Sequence, residues 1–225
     1  MTDTKDDNSS ALMKMVEAIA ITPADARELV AQYEAQVRQA KANVADAELR
    51  ALLTDKIISR YAKMAATSGG ATSLAGVIPG VGTAIAAVGG GLADVSLCMK
   101  FQIDMTMCLG IAINNKMTNE DAKHMSFVIA LSGSLEQMAT KNATNAASKA
   151  ALKMINEHLK GATLETIKQL FKQVGINFTK TAFSKAIPFG IGVVIGSTAN
   201  YALTRYVGGV ARDVFALHFD GAEAV

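Results

Sequence analysis

Tryptophan is missing altogether, and proline is limited to Pro23, Pro79 and Pro188 in 225 residues. With so few breakers, and with Ala, Leu, Met, Lys and Gln abundant, the chain reads as helical throughout. No alternating strand of useful length is visible, so the expected fold class is all-α. Cysteine occurs only as Cys98 and Cys108. On one helix these would sit about 15 Å apart along the axis, too far to bridge. That excludes a disulfide framework and leaves two buried, reduced thiols.

Neither charge dominates, with 22 Lys and Arg against 20 Asp and Glu. The formal net charge is +2, and no basic cluster follows the spacing of a phosphate backbone. A nucleic-acid partner is therefore not expected. His124, His158 and His218 are far apart, and neither cysteine lies near any of them, so no metal site is expected. No phosphate-binding Gly-x4-Gly-Lys-Ser/Thr loop and no Gly-x-Ser-x-Gly elbow occurs. The reading assigns no cofactor, no metal and no catalytic residue. A hydrolase using Asp94 or a histidine would lack a visible second catalytic partner.

Glycine and long uncharged runs are what the chain does have. Most of its 18 glycines fall in two stretches, each carrying an Ile-Pro step. The first runs from Gly69 through Gly76, Ile78-Pro79-Gly80 and Gly82 to Gly89-Gly90-Gly91. The second is Ile187-Pro188-Phe189-Gly190-Ile191-Gly192, running on to Gly196. No charged residue occurs from Met64 to Ala93 or from Ala186 to Thr204. Small residues four apart clear a groove in which helices cross closely, so Gly76, Gly80, Gly82, Gly90, Gly192 and Gly196 are expected at helix contacts.

Around these stretches the helices are marked by caps and stripes. Thr22-Pro23 opens one, with apolar Leu29, Val30, Tyr33, Val37, Ala40 and Val44 on a single face. A second carries Leu49, Leu52, Leu53, Ile57, Tyr61 and Met64, with Asp55, Lys56 and Lys63 on its wet side. A long helix is expected from about Thr83 to Ile113, apolar at its start and amphipathic where Asp94, Lys100, Gln102 and Asp104 occur. Thr118-Asn119-Glu120-Asp121 resembles a capping box leading to a helix through about Met138. Further helices are expected around Leu152–Leu159 and Leu164–Val174. A last pair runs from Pro188 to Tyr206 and from Val210 to Phe219, broken or kinked at Gly208-Gly209. Residues 1–20 read as a disordered or loosely ordered arm, and 21–220 as one helical domain around a Gly-rich central helix pair.

Both uncharged runs are long enough to cross a bilayer, which takes about 20 mainly apolar residues. They are only moderately apolar, and the second contains Ser197, Thr198 and Asn200. Three arrangements remain open: a buried hairpin inside a soluble bundle, conditional or peripheral membrane insertion, and a stable two-span protein. The amphipathic first 65 residues favour the first two. Polar groups in apolar surroundings are the candidate ligand or lipid-head residues: Asp94, Gln102, Asn200 and Arg205. Arg205 is placed to pair with Asp94 or Asp104 if the two long helices are antiparallel neighbours. Arg212 and Asp213 are expected on a wet face.

Several short motifs recur together. They are Ile57-Ile58-Ser59-Arg60-Tyr61-Ala62 leading into the Gly/Ala run, Asp94, Phe101-Gln102 and Cys108-Leu109-Gly110-Ile111. Later come Lys185-Ala186-Ile187-Pro188, Gly190, Gly192, Gly196, Asn200 to Arg205, Gly208 and Ala211. Over roughly residues 50 to 219 this pattern resembles the EcsC family of bacterial proteins, named after an accessory protein encoded beside an ABC transporter. The resemblance implies an all-α protein working near membranes, and it supplies no catalytic residues. The expected function is a non-enzymatic, membrane-associated or conditionally membrane-inserting accessory protein. It would be cytoplasmic, peripheral to the inner face of the membrane, with membrane lipids or a membrane protein as partner and a homo-oligomer left open. The alternative is a soluble bundle binding a lipid or small apolar ligand.

Overall fold

In a computed structural model, the described residues are 13–67, 90–139, 167, 169, 170, 173 and 192–220. The side chains of 90–95, 136–139, 192–199 and 218–220 are outside the description. The described chain is helical, without strands, as composition leads one to expect. In order it forms α1 (13–19), α2 (Pro23–Ala40), α3 (Asp46–Thr67), α4 (Gly90–Ile113), α5 (Asn119–Ala139) and α6 (Gly192–Asp220).

Local chemistry sets the ends of these helices. Thr22 Oγ1 accepts the Asp25 N–H at 3.2 Å, and Pro23 takes the first turn of α2, where its missing N–H is harmless. The turn into α3 passes through Asn43 at φ 63°, a left-handed conformation that Asn tolerates better than most residues. Between α4 and α5, Asn114 Oδ1 accepts the Lys116 N–H at 3.0 Å, and Thr118 Oγ1 accepts the Asp121 N–H at 3.1 Å. Arg27 of α2 reaches across to this turn. Its Nη1 donates to the Asn115 carbonyl at 2.8 Å, and its Nη2 donates to the Met117 carbonyl.

The core is organised around α4, which packs against α2, α3, α5 and α6. All the side chains from Ser96 to Ile111, Gly110 apart, lie in the interior, including Lys100, Gln102, Asp104 and Thr106. This corrects the expectation of a helix that turns amphipathic. These polar residues are held in the interior because each has a protein partner: Lys100 pairs with Asp104, Asp104 also accepts from Ile21, Gln102 accepts from Ser134, and Thr106 donates to the Gln102 carbonyl. The predicted stripes of α2 and α3 are largely buried. Ala40 is exposed instead, and Leu52 is partly so, at 38%. Residues 13–19 add Met13, Met15 and Val16 to the interior.

The break expected at Gly208-Gly209 does not occur: α6 runs unbroken to Asp220. The reason is packing. A Cβ at Gly208 would lie 2.8 Å from Ile58 Cγ1 and 3.1 Å from Met105 Sδ, so the glycine lets α3, α4 and α6 meet. Gly110 plays a similar part, with Phe215 Cζ 2.8 Å from where its Cβ would stand. Gly76, Gly80, Gly82 and the stretch through Ile187-Pro188 lie outside the described residues, as do the helices expected around Leu152–Leu159. Gly90 belongs to α4, and Gly192 and Gly196 to α6. Residues 167, 169, 170 and 173 are helical, with Ile167 and Leu170 buried.

Candidate functional site

Among the described residues, two places concentrate polar chemistry: a buried cluster on α4 and an open cleft between α3 and α6.

The cluster begins with Lys100 and Asp104, one turn apart on α4. Their ion pair is buried on both sides, with 8% and 4% of the side chains exposed. The remaining oxygen of Asp104, Oδ1, accepts the backbone N–H of Ile21 at 2.8 Å, at the joint between α1 and α2. Burial pushes the Asp104 carboxyl above the usual carboxylate range, against the opposing pull of Lys100 and of the Ile21 N–H. One turn further along, Cys108 Sγ lies 3.7 Å from the Tyr61 hydroxyl. Burial raises both of these groups, and the Cys108 thiol is pushed up to about 12. The expected reduced, buried thiols are present at both Cys98 and Cys108. Tyr33 is buried nearby, with no hydrogen-bond partner for its hydroxyl among the described residues.

On another face of α4, Ser134 Oγ of α5 lies 2.6 Å from Gln102 Oε1, and Gln102 Nε2 lies 3.4 Å from Cys98 Sγ. Gln102 thus ties α4 to α5 in the interior. Asp94 sits on α4 outside the side-chain description, and Asn200 is half-buried on α6. Arg205 is exposed, and so the pairing of Arg205 with Asp104 does not form. Asp104 is already held by Lys100, whose place one turn away on the same helix makes it the nearer cation.

The cleft is about 280 Å³ and is lined by Asp55, Ile58, Ser59, Arg205, Gly209 and Arg212. The helices that form it run antiparallel here, since Ile58 meets Gly208 while Asp55 meets Arg212. Arg212 Nη1 lies 3.1 Å from Asp55 Oδ1, and its Nε lies 3.9 Å from Asp213. This is the wet face expected for Arg212 and Asp213. Arg205 makes no ion pair among the described residues. Its guanidinium lies 5.9 Å from the centre of the Tyr201 ring, one turn back along α6. Beside the cleft, α3 carries the half-buried Lys56 and the exposed Arg60 and Lys63.

Sequence reasoning selected Arg205 but missed its companions. Nothing local links residues 55–59 to 205–212, and only the folded chain brings them together. The Lys100/Asp104 spacing was a readable signal: opposite charges one turn apart in an apolar helix can neutralise each other in the interior.

The chain belongs to the EcsC protein family, whose family model matches residues 5–218. The match therefore takes in nearly the whole chain, including the N-terminal segment that the motif resemblance had left aside. No curated protein and no solved structure shows significant similarity to it.

Proposed function

We propose that this protein is a non-enzymatic accessory protein that works at the cytoplasmic face of a membrane and exposes apolar helix surface to lipid when its N-terminal cover opens. The observation that carries this reading is how α4 is covered. Its segment Ser96–Ile113 is long and apolar enough to cross a bilayer, with mean hydropathy 1.3, yet 89% of it is buried within the bundle. Helix α2 packs on α4, and the joint before α2 is fastened to it by the Ile21–Asp104 hydrogen bond. The polar fastening at the edge of the cover supports a releasable arrangement.

Charge balance within Ser96–Ile113, the part of α4 that follows Asp94, is compatible with contact to lipid. A lone charge in hydrocarbon is expensive, but Lys100 and Asp104 travel together on one helix as a pair. The two uncharged runs, Met64 to Ala93 and Ala186 to Thr204, enlarge the surface that lipid could meet. Gly76, Gly80, Gly82, Gly90, Gly192 and Gly196 would let those runs pack closely in the closed state.

Liposome flotation of the full chain tests the proposal. The protein is expected to float with vesicles containing anionic lipid, and Asp104→Ala, which loosens the cover, is expected to float in larger fraction. If both proteins stay in the soluble fraction across lipid compositions, the reading fails.

A further inference from the structure

We propose that the cleft between α3 and α6 binds a phosphoryl group, held by Arg205, Arg212 and the hydroxyl of Ser59. Such a site could exist with or without a membrane role. Arg205 and Arg212 are seven positions apart on one helix, nearly two turns, so they project from the same face about 10 Å apart along the axis. Both are long enough to reach a group seated between them. Ser59 offers a hydroxyl from the opposite helix.

The two arginines differ in a way that suits this role. Arg212 is already oriented by Asp55 at 3.1 Å. Arg205 has no carboxylate partner among the described residues, and the Tyr201 ring at 5.9 Å supports its guanidinium. The cleft lining therefore holds two cations against one carboxylate. A guanidinium is planar and presents parallel N–H donors, which match two oxygens of a phosphate. The hydroxyl of Ser59 can serve the third.

Size narrows the ligand. The cleft, about 280 Å³, is at the small end of ligand sites, which run from about 300 to 1,000 Å³. It accommodates a headgroup or a small phosphate monoester. Either source presents the same phosphoryl chemistry.

The test uses the full chain with two probes. Inorganic phosphate is titrated calorimetrically, and co-sedimentation is measured with phosphatidylcholine vesicles with and without phosphatidic acid. Arg205→Gln removes the unpaired charge from an exposed position, and an unchanged urea midpoint verifies that it folds. It is expected to weaken binding of the effective probe by at least about tenfold, the size of a lost charge-assisted contact. Asp55→Asn removes the nearer of the two carboxylates that compete for Arg212, Asp213 being the other, and is expected to tighten the same binding. If free phosphate binds and phosphatidic acid adds nothing, the site serves a soluble phosphorylated molecule. Binding to phosphatidic acid vesicles that Arg205→Gln abolishes identifies a lipid headgroup. If neither probe binds, or if Arg205→Gln leaves binding unchanged, the proposal is overturned. Failure of vesicle flotation with phosphate binding intact would count against the membrane reading and leave this site standing.

Discussion

Asp104 and Ile21 are far apart in the chain, yet Asp104 Oδ1 accepts the Ile21 backbone N–H at 2.8 Å. The same carboxylate pairs with Lys100 through its other oxygen. One buried side chain therefore neutralises a buried cation and fixes the point where the N-terminal helices meet the core. These two tasks can be separated by substitution.

Asp104→Ala leaves the Lys100 ammonium buried without its partner, a situation that destabilises proteins by about 3–5 kcal/mol. Replacing Lys100→Met together with Asp104→Asn removes both charges and keeps an acceptor for Ile21. The double variant is expected to recover most of the loss. Urea unfolding at neutral pH measures both. A double variant as unstable as Asp104→Ala would show that the stranded Lys100 charge is not the main source of the loss.

The pH dependence follows from burial. The Asp104 carboxyl is raised from its ordinary value of 3.8, so the native state keeps this proton to higher pH than the unfolded chain does. Its contribution to stability is fully present below that ordinary value and is lost as pH rises through the native value. Wild-type stability, referred to Asp104→Asn, should therefore fall as pH rises from about 4. The Cys108 thiol is raised from 9.0 to about 12, which produces a second fall across that alkaline window. Tyr61, also raised by burial, adds to it. Urea midpoints measured across both ranges check the signs. Stability that increased relative to Asp104→Asn on leaving acid pH would contradict the assignment. An alkaline fall undiminished in Cys108→Ala would do the same for the thiol.

Much of the helical framework was readable because caps and stripes are local. Thr22-Pro23, the capping group at Thr118 and Asp121, and the end of α4 at Ile113 depend on neighbours a few residues away. The interior character of α4 was misread for a physical reason: Lys100 and Asp104 look wet until a partner for each is known. Gly208 misled in the same way. A glycine pair signals a break when only the chain is considered, but here it answers Ile58 and Met105, which lie on two other helices. The cleft between α3 and α6 was legible only as Arg205, since Asp55, Ser59 and Arg212 join it through tertiary contact.

The packing role of glycine is testable at Gly208. An alanine there places its Cβ 2.8 Å from Ile58 Cγ1 and 3.0 Å from Ile58 Cγ2, both on a branched, stiff side chain. Overpacking of this kind destabilises by about 1–3 kcal/mol. Ile58→Ala alone leaves a cavity and destabilises by about 2–5 kcal/mol. Combined with Gly208→Ala, it removes the clash with Ile58, leaving only the 3.1 Å approach to the flexible Met105, and the added methyl refills part of the space. The double variant should lose less than the sum of the singles, as coupled contacts do. Strict additivity would mean that the two residues do not meet.

Two buried tyrosines should respond differently to loss of the hydroxyl. Tyr61 is oriented towards Cys108 Sγ at 3.7 Å, whereas the Tyr33 hydroxyl has no partner among the described residues. Lys56 and Arg60 lie 5.8 Å and 5.5 Å from the centre of the Tyr33 ring, and a phenylalanine keeps both contacts. A buried hydroxyl without a bond costs about 1–3 kcal/mol of desolvation. Tyr33→Phe is therefore expected to be neutral or stabilising, and Tyr61→Phe to lose up to about 1 kcal/mol. Thermal unfolding followed by circular dichroism distinguishes them. If Tyr33→Phe were the more damaging change, its hydroxyl would have to be bonded in the folded protein, and the buried polar cluster on α4 would extend to Tyr33.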